Sequence, residues 1–154
     1  MKVFADTNFL ISLYFKRGGD VAQNALINYT VTEGPVWISR FVELEMINAI
    51  ERMVFEGNSG GPIRVTTQLA ALVQSTFSDD LSNEILVRET PVAAADHKFQ
   101  YTDLVLRHTA KHGFRTYDML HISSALTLGC DAFWSFDKKA NMLAAMEGLK
   151  TMQP

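Results

Sequence analysis

Only one cysteine, Cys130, stands among the 154 residues. That excludes an internal disulfide framework and fits a reducing cytosol. As a lone thiol it reads as a small buried hydrophobe. No uninterrupted apolar run approaches the roughly 18 residues that a membrane span requires. The opening MKVFADTNFL breaks its short apolar stretch at Asp6 and has no small-residue cleavage site, so it does not read as a signal peptide. Basic charge is not in excess either. The net charge of −3 argues against a broad non-specific nucleic-acid coat but leaves room for a local basic patch. Internal repeats, low-complexity tracts and dividing linkers are all missing, so one domain over residues 1–154 is expected. What remains is an ordinary globular composition, 47% hydrophobic and 20% charged.

Periodicity then orders the elements. KVFA (2–5) reads as a short buried strand. DVAQNALINYTVTEG (20–34) reads as a helix with Val21, Ala25 and Leu26 on one face and Gly34 as its stop. VWIS (36–39) is a second strand, and Ser39 is placed to cap the long helix that follows it. EGNSGGP (56–62) reads as a flexible loop between helices. TTQLAALVQSTF is a helix, EILVRE a strand, and ADHKFQYTDLVLRHTAKHG a helix ended by Gly113. Thr116 is placed to cap YDMLHISSALTLG; AFWS is a strand, KKANMLAAMEG a helix and LKTM a last short strand. Strands alternating with helices predict an α/β fold whose mostly parallel sheet is covered on both faces. In such sheets the ligand crevice lies beyond the carboxyl ends of the strands.

Four acids fall at that edge. Asp6 ends the first strand, and Asp137 follows the strand AFWS. Asp118 lies in the first turn of its helix, and Glu45 lies near the start of the helix after strand two. Singly, each has a local explanation: an Asx-turn for Asp6, an N-cap for Asp137, a favourable helix-dipole position for Asp118, a solvated face for Glu45. Together they would repel one another and raise their own pKa values unless cations neutralised them. Removing one such charge should then leave the fold intact or steadier. Hard divalent cations, Mg²⁺ or Mn²⁺, suit a site of carboxylates and water, and no Cys/His spacing suggests zinc.

Glu43 competes with Glu45. At about 100° per residue the two point roughly 160° apart, so they do not both face one site. With Val42, Met46, Ala49 and Met53 as the buried stripe, Glu45 lies on its edge beside Asn48 and Arg52, whereas Glu43 falls within the apolar arc. Geometry favours Glu45 without eliminating Glu43.

VFADTNFLISL, then ISRFVELEMINAI, YDMLHISSAL and FWSFDKKANMLA together resemble the PIN-domain ribonucleases, in particular the VapC-type toxins of bacterial toxin–antitoxin pairs. The D-T-N opening is matched by Asp6, Thr7 and Asn8. The second acid of the family pattern selects Glu45, with Asn48 behind it. The third is matched by Asp118 with His121, and the fourth by Ser135 and Asp137. The resemblance runs in order across essentially the whole chain, except for a central region (57–88) that does not align closely. It implies a single PIN domain over 1–154, with a three-layer fold in which helices flank both faces of a mostly parallel sheet.

It also implies a cytoplasmic, metal-dependent endoribonuclease. Asp6, Glu45, Asp118 and Asp137 would hold one or two Mg²⁺ or Mn²⁺ ions, with Thr7, Asn8 and Ser135 supporting them. His121 reads better as a packed, hydrogen-bonded histidine than as a substrate contact. Arg107, Lys111, Arg115 and Lys138 are the candidate phosphate contacts. Phe9, Tyr14 and Tyr117 read as core before they read as base-stacking groups. The implied partners are RNA, a second copy of the chain and an antitoxin peptide. That peptide would place a cation against Asp6, Asp118 or Asp137 and apolar residues near Phe9, Leu13 and Phe55.

Other classes fit less well. A receiver-like phosphoacceptor domain needs a lysine after a late strand, where Ser135-Phe136-Asp137 stands. A haloacid-dehalogenase-type phosphatase needs D-x-D after the first strand, where this chain has D-T-N. A catalytically silent nucleic-acid-binding module on the same fold is the remaining alternative, and retention of all four acids counts against it.

Overall fold

Strand β1 (Val3–Ala5) is buried at all three positions, so its alternating side chains meet cover on both faces. In the computed structural model, which describes residues 1–17 and 19–152, β1 is the centre of a five-stranded sheet. The other strands are β2 (Val36–Ile38), β3 (Val87–Glu89), β4 (Ala132–Trp134) and β5 (Lys150–Thr151), in the order β3-β2-β1-β4-β5. All four pairings are parallel. Phe4 lies opposite Phe133 in register, and their rings stack at 6.0 Å. The chain leaves β1 toward β2 and later returns on its other side as β4. The β1/β4 boundary is therefore where strand order reverses, which is where an α/β sheet opens a crevice.

Eight α-helices join the strands among the described residues. Helix α1 (Thr7–Tyr14) follows β1 directly and has no counterpart in the periodicity reading. Its eight residues are few and mostly apolar, with Asn8 and Ser12 on the side away from the core, and it is fixed by the Asp6 cap and by burial of Phe9, Leu10 and Leu13. Helix α2 (Val21–Glu33) buries Ala22, Leu26 and Tyr29. Val21, expected on that face, is exposed because the stripe begins one residue later. The Tyr29 hydroxyl donates to the Met1 carbonyl and accepts from the Val3 amide, tying α2 to the start of β1.

Helix α3 (Arg40–Asn58) buries Val42, Met46 and Ile50, so Ile50 belongs to the stripe, while Ala49 and Met53 are only half-buried. Ser39 precedes it in extended backbone, but its hydroxyl makes no capping bond. Helix α4 (Thr67–Asn83), capped by Thr66, occupies much of the central region. Helix α7 (Thr116–Thr127) starts at Thr116, with Arg115 rather than Thr116 at the cap position. Helix α8 (Lys138–Met146) is capped by the Asp137 carboxylate, which accepts from the Lys139 and Ala140 amides.

Between β3 and α7 the chain runs through α5 (Ala94–Leu104), a π-helical turn (Val105–Thr109) and the short α6 (Ala110–His112). His97 on α5 is buried at the interface with α7. Its Nε2 lies 2.8 Å from the Ser123 hydroxyl and 3.2 Å from that of Ser124, and its ring stacks on Phe41 at 5.3 Å. Burial lowers the His97 pKa, against the pull of the Leu120 carbonyl. As the pH falls the unfolded chain therefore takes up this proton first, so the stability His97 contributes is full above about 6.5 and declines below it. We expect His97→Ala to cost about 2 kcal/mol at neutral pH. The variant should also lose less melting temperature than wild type between pH 7.5 and 5.5; parallel losses would mean that His97 is not buried neutral.

Candidate active site

Backbone pairing builds the site. Beyond the end of β1, the Asp6 amide donates to the Trp134 carbonyl, which sets Asp6 beside the end of β4. The Asp6 carboxylate then caps α1 by accepting from the Phe9 amide at 2.9 Å. Its other oxygen accepts from the Ser135 hydroxyl, which itself accepts from the Asp137 amide at 2.9 Å. Ser135 thus links the acids that follow β1 and β4, and is buried between them.

Asp6, Glu45 and Asp118 line one cavity of about 590 Å³ at the carboxyl edge of the sheet, with Thr7, Asn8, Asn48 and His121 around them. Glu45 points into it from α3, and Glu43 does not line it. Glu45 Oε2 accepts from the Thr7 hydroxyl and lies 2.6 Å from His121 Nε2, so that nitrogen carries the proton. Burial pushes the Glu45 pKa up, but these hydrogen bonds and the His121 charge outweigh it and leave the pKa lowered.

Asp118 and Asp137 share a different cation. Arg115 Nε and Nη2 reach the two Asp118 oxygens at 3.1 and 3.2 Å, and Nη2 reaches Asp137 Oδ2 at 2.9 Å. The Arg115 amide also donates to Asp118. Asp137 lies outside the cavity lining, turned toward Arg115 and the start of α8.

Among the described residues no three carboxylates or imidazoles form a ready-made metal cage. The reason is visible in the contacts: Arg115 bridges Asp118 and Asp137, while Thr7 and His121 hold Glu45. The donor set nevertheless suits a hard cation, because it is built of carboxylate oxygens and Asp6 has no ion-pair partner among the described residues. Burial pushes the Asp6 carboxyl up to about 6, against the hydrogen bonds from Ser135 and Phe9 that pull it down.

Keeping that buried carboxyl ionised costs roughly 3 kcal/mol. The sign follows from the raised value: Asp6 is harmless to the fold below the unfolded-state 3.8, and its cost grows as the pH rises to about 6. In metal-free buffer at pH 7.5, Asp6→Asn should therefore melt above wild type, by an increment that shrinks toward pH 4. Thermal melts at the two pH values check this. A variant no more stable than wild type at pH 7.5 would mean that Asp6 is compensated without a metal.

Other sequence candidates lie elsewhere. Arg107 sits in the π-turn, where its guanidinium takes both Glu147 oxygens at 2.6 and 2.9 Å and Asp103 at 2.7 Å. His108 joins the same glutamate. The π-turn breaks the helical register that would align Arg107 with Lys111, and neither lines the cavity. Lys138 is exposed at the first position of α8, also outside the lining. Phe9 and Leu13 are buried, so they offer a peptide no surface, whereas Phe55 is 69% exposed. Tyr14 is held by Asp80 at 2.6 Å, away from the acids. Tyr117, in contrast, is half exposed and lines the cavity. Arg17 lines it as well, unmarked in the sequence because it stands in a turn with no periodic or motif signal.

Residues 3–146 match the family model for the PIN domain. The chain belongs to the PIN-domain family. No curated protein sequence matches it. Among solved structures it is similar to VapBC2 from Rickettsia felis bound to a DNA fragment from its promoter (TM-score 0.70, 17% identity, 99% of this chain and 98% of that one). It is likewise similar to Mycobacterium tuberculosis VapC20, described as a Sarcin-Ricin loop cleaving toxin (TM-score 0.62, 18% identity, 99% and 100%). FitAcB from Neisseria gonorrhoeae is a third (TM-score 0.67, 11% identity, 99% and 97%). At these identities the likeness is one of fold.

Proposed function

We propose that this chain is a metal-dependent endoribonuclease, the toxin of a toxin–antitoxin pair, folded as one PIN domain over residues 1–154. The observation that carries the proposal is the meeting of Asp6, Glu45 and Asp118 in one cavity, with Asp137 joined to Asp6 through Ser135 and to Asp118 through Arg115. Asp6, Glu45, Asp118 and Asp137 would hold Mg²⁺ or Mn²⁺. A bound divalent ion supplies Lewis acidity toward water and phosphate oxygens.

The chain's own residues do the rest. Thr7 and His121 fix the Glu45 carboxylate, and Ser135 fixes the Asp6 carboxylate, so both face the cavity before substrate arrives. Arg115 neutralises Asp118 and Asp137 in the resting protein. Released from them, it lies at the cavity wall where a scissile phosphate would take its guanidinium. Asn8 and Asn48 add neutral polar groups to the same wall.

The partners follow the toxin reading: RNA as substrate, a second copy as dimer partner, and an antitoxin whose cation competes for the acids that Arg115 now holds. Location in the cytoplasm belongs to the same reading; among the described residues no helix is long and apolar enough to cross a membrane. The test is cleavage of single-stranded RNA by purified protein, stopped by EDTA and restored by Mn²⁺, with 5′-phosphate ends from attack by water. Products ending in 2′,3′-cyclic phosphate would contradict the proposal. Expression alone should arrest bacterial growth.

A further inference from the structure

Arg17 follows α1 at the rim of the acid cavity, after Lys16, which takes a left-handed backbone with φ of 52°. The Arg17 amide donates to the Ser12 carbonyl, so the turn is anchored to the helix that Asp6 caps. Its guanidinium differs from the others near the site. Arg115 is engaged by Asp118 and Asp137, and Arg52 by Glu56 at 3.0 Å. Arg17 Nη2 is shielded from solvent and meets no hydrogen-bond partner among the described residues. A shielded nitrogen is not itself open to a ligand, but the guanidinium lacks the pairing that holds Arg115 and Arg52, so a side chain turned further into the cavity gives up no partner on meeting a phosphate. Carboxylates line the same cavity, yet none of them pairs with Arg17 among the described residues.

We infer that Arg17 binds a phosphodiester of the RNA chain next to the one that is cut, and so sets where the strand lies across the acids. This rests on the nuclease reading. The guanidinium fork suits two phosphate oxygens, and it is held on the same helix unit as Asp6, so its distance from the acids is fixed by the fold. Tyr117 projects into the cavity with half its surface exposed, and its ring lies 6.0 Å from that of His121. It offers a stacking face for an unpaired base. Tyr117, the acids and Arg17 line one cavity, so a single strand lying in it would meet all three. Arg52, already paired with Glu56, would contribute less.

Binding of a fluorescent single-stranded oligoribonucleotide tests this, measured by anisotropy across a salt series in an Asp118→Asn background that does not cut. Adding Arg17→Ala should weaken binding about tenfold and reduce the slope of log K against log salt by about 0.7, one phosphate contact on a single strand. Arg17→Lys should recover part of the affinity by restoring the charge without the fork. Arg88→Ala, whose side chain is paired with Glu84 outside the cavity, should bind like its parent. Unchanged affinity and slope in Arg17→Ala, or an equal loss in Arg88→Ala, would overturn the inference. Cleavage by the otherwise wild-type protein is run alongside. If it cuts RNA while Arg17→Ala binds normally, only this inference falls. If it neither binds nor cuts RNA, the nuclease reading falls and takes Arg17 with it.

Discussion

Asp118→Asn is expected to lower RNA cleavage by roughly a thousandfold or more, a loss of about 4 kcal/mol of transition-state stabilisation. The fold should barely notice. Asp118 is buried at the start of α7, and the asparagine oxygen can still accept from the Arg115 amide. The Arg115 side chain is 66% exposed and keeps Asp137, so its pairing with Asp118 adds little stability in water. Metal response separates the site from the scaffold. Mn²⁺ should raise the wild-type melting temperature by several degrees, because it binds the folded acids and not the unfolded chain, and this shift should be much smaller in Asp118→Asn. Undiminished cleavage with an unchanged metal response would remove Asp118 from the site.

Glu45→Gln should abolish cleavage to a similar degree, whereas Glu43→Gln should cut like wild type. Glu43 lies in the first turn of α3 beside Arg40 and does not line the cavity. The structure also alters what Glu45→Gln should do to stability. Charge repulsion alone predicts a neutral or stabilising change, but Glu45 accepts from both Thr7 and His121. Losing its charge weakens two charge-assisted hydrogen bonds, and a cost of about 1–2 kcal/mol is expected instead. Because the Glu45 pKa is lowered in the folded state, that contribution is present above the unfolded-state 4.5 and lost as the pH falls through the lowered value. Denaturant melts should therefore show the two proteins converging in acid. The opposite pattern, with Glu43→Gln inactive and Glu45→Gln active, would place the wrong carboxylate in the cavity.

That Asp6, Glu45 and Asp118 would meet at one edge of the sheet was legible because strand ends and helix starts are written in short-range pattern, although Asp137, read with them, lies outside the cavity they line. A hydrophobic run followed by Asp6 or Asp137 marks a strand reaching the sheet edge, and topology brings those edges together whatever lies between. Helical angle favoured Glu45 without eliminating Glu43, and the family pattern selected Glu45, which is the one that lines the cavity. Helix α1 was not legible, since Thr7–Tyr14 is short and mostly apolar and looks like a continuation of the strand. The role of Arg107 depended on a π-turn, and a π-turn arises from packing rather than from local sequence. The engagement of Arg115 by two acids that lie 3 and 22 residues away required the β4–α8 turn to be in place. Arg17 and His97 were invisible for a shared reason: what distinguishes each is what surrounds it, and those neighbours come from other elements.

The most direct test of the central claim, that these carboxylates form a divalent-metal centre for RNA cleavage, is to count free Mn²⁺ by its solution electron paramagnetic resonance signal as protein is added. Wild type should remove about one or two ions per chain from the free pool, and Asp118→Asn should remove far less at the same concentrations. A wild-type protein that leaves the free Mn²⁺ signal untouched while still cutting RNA would contradict the account.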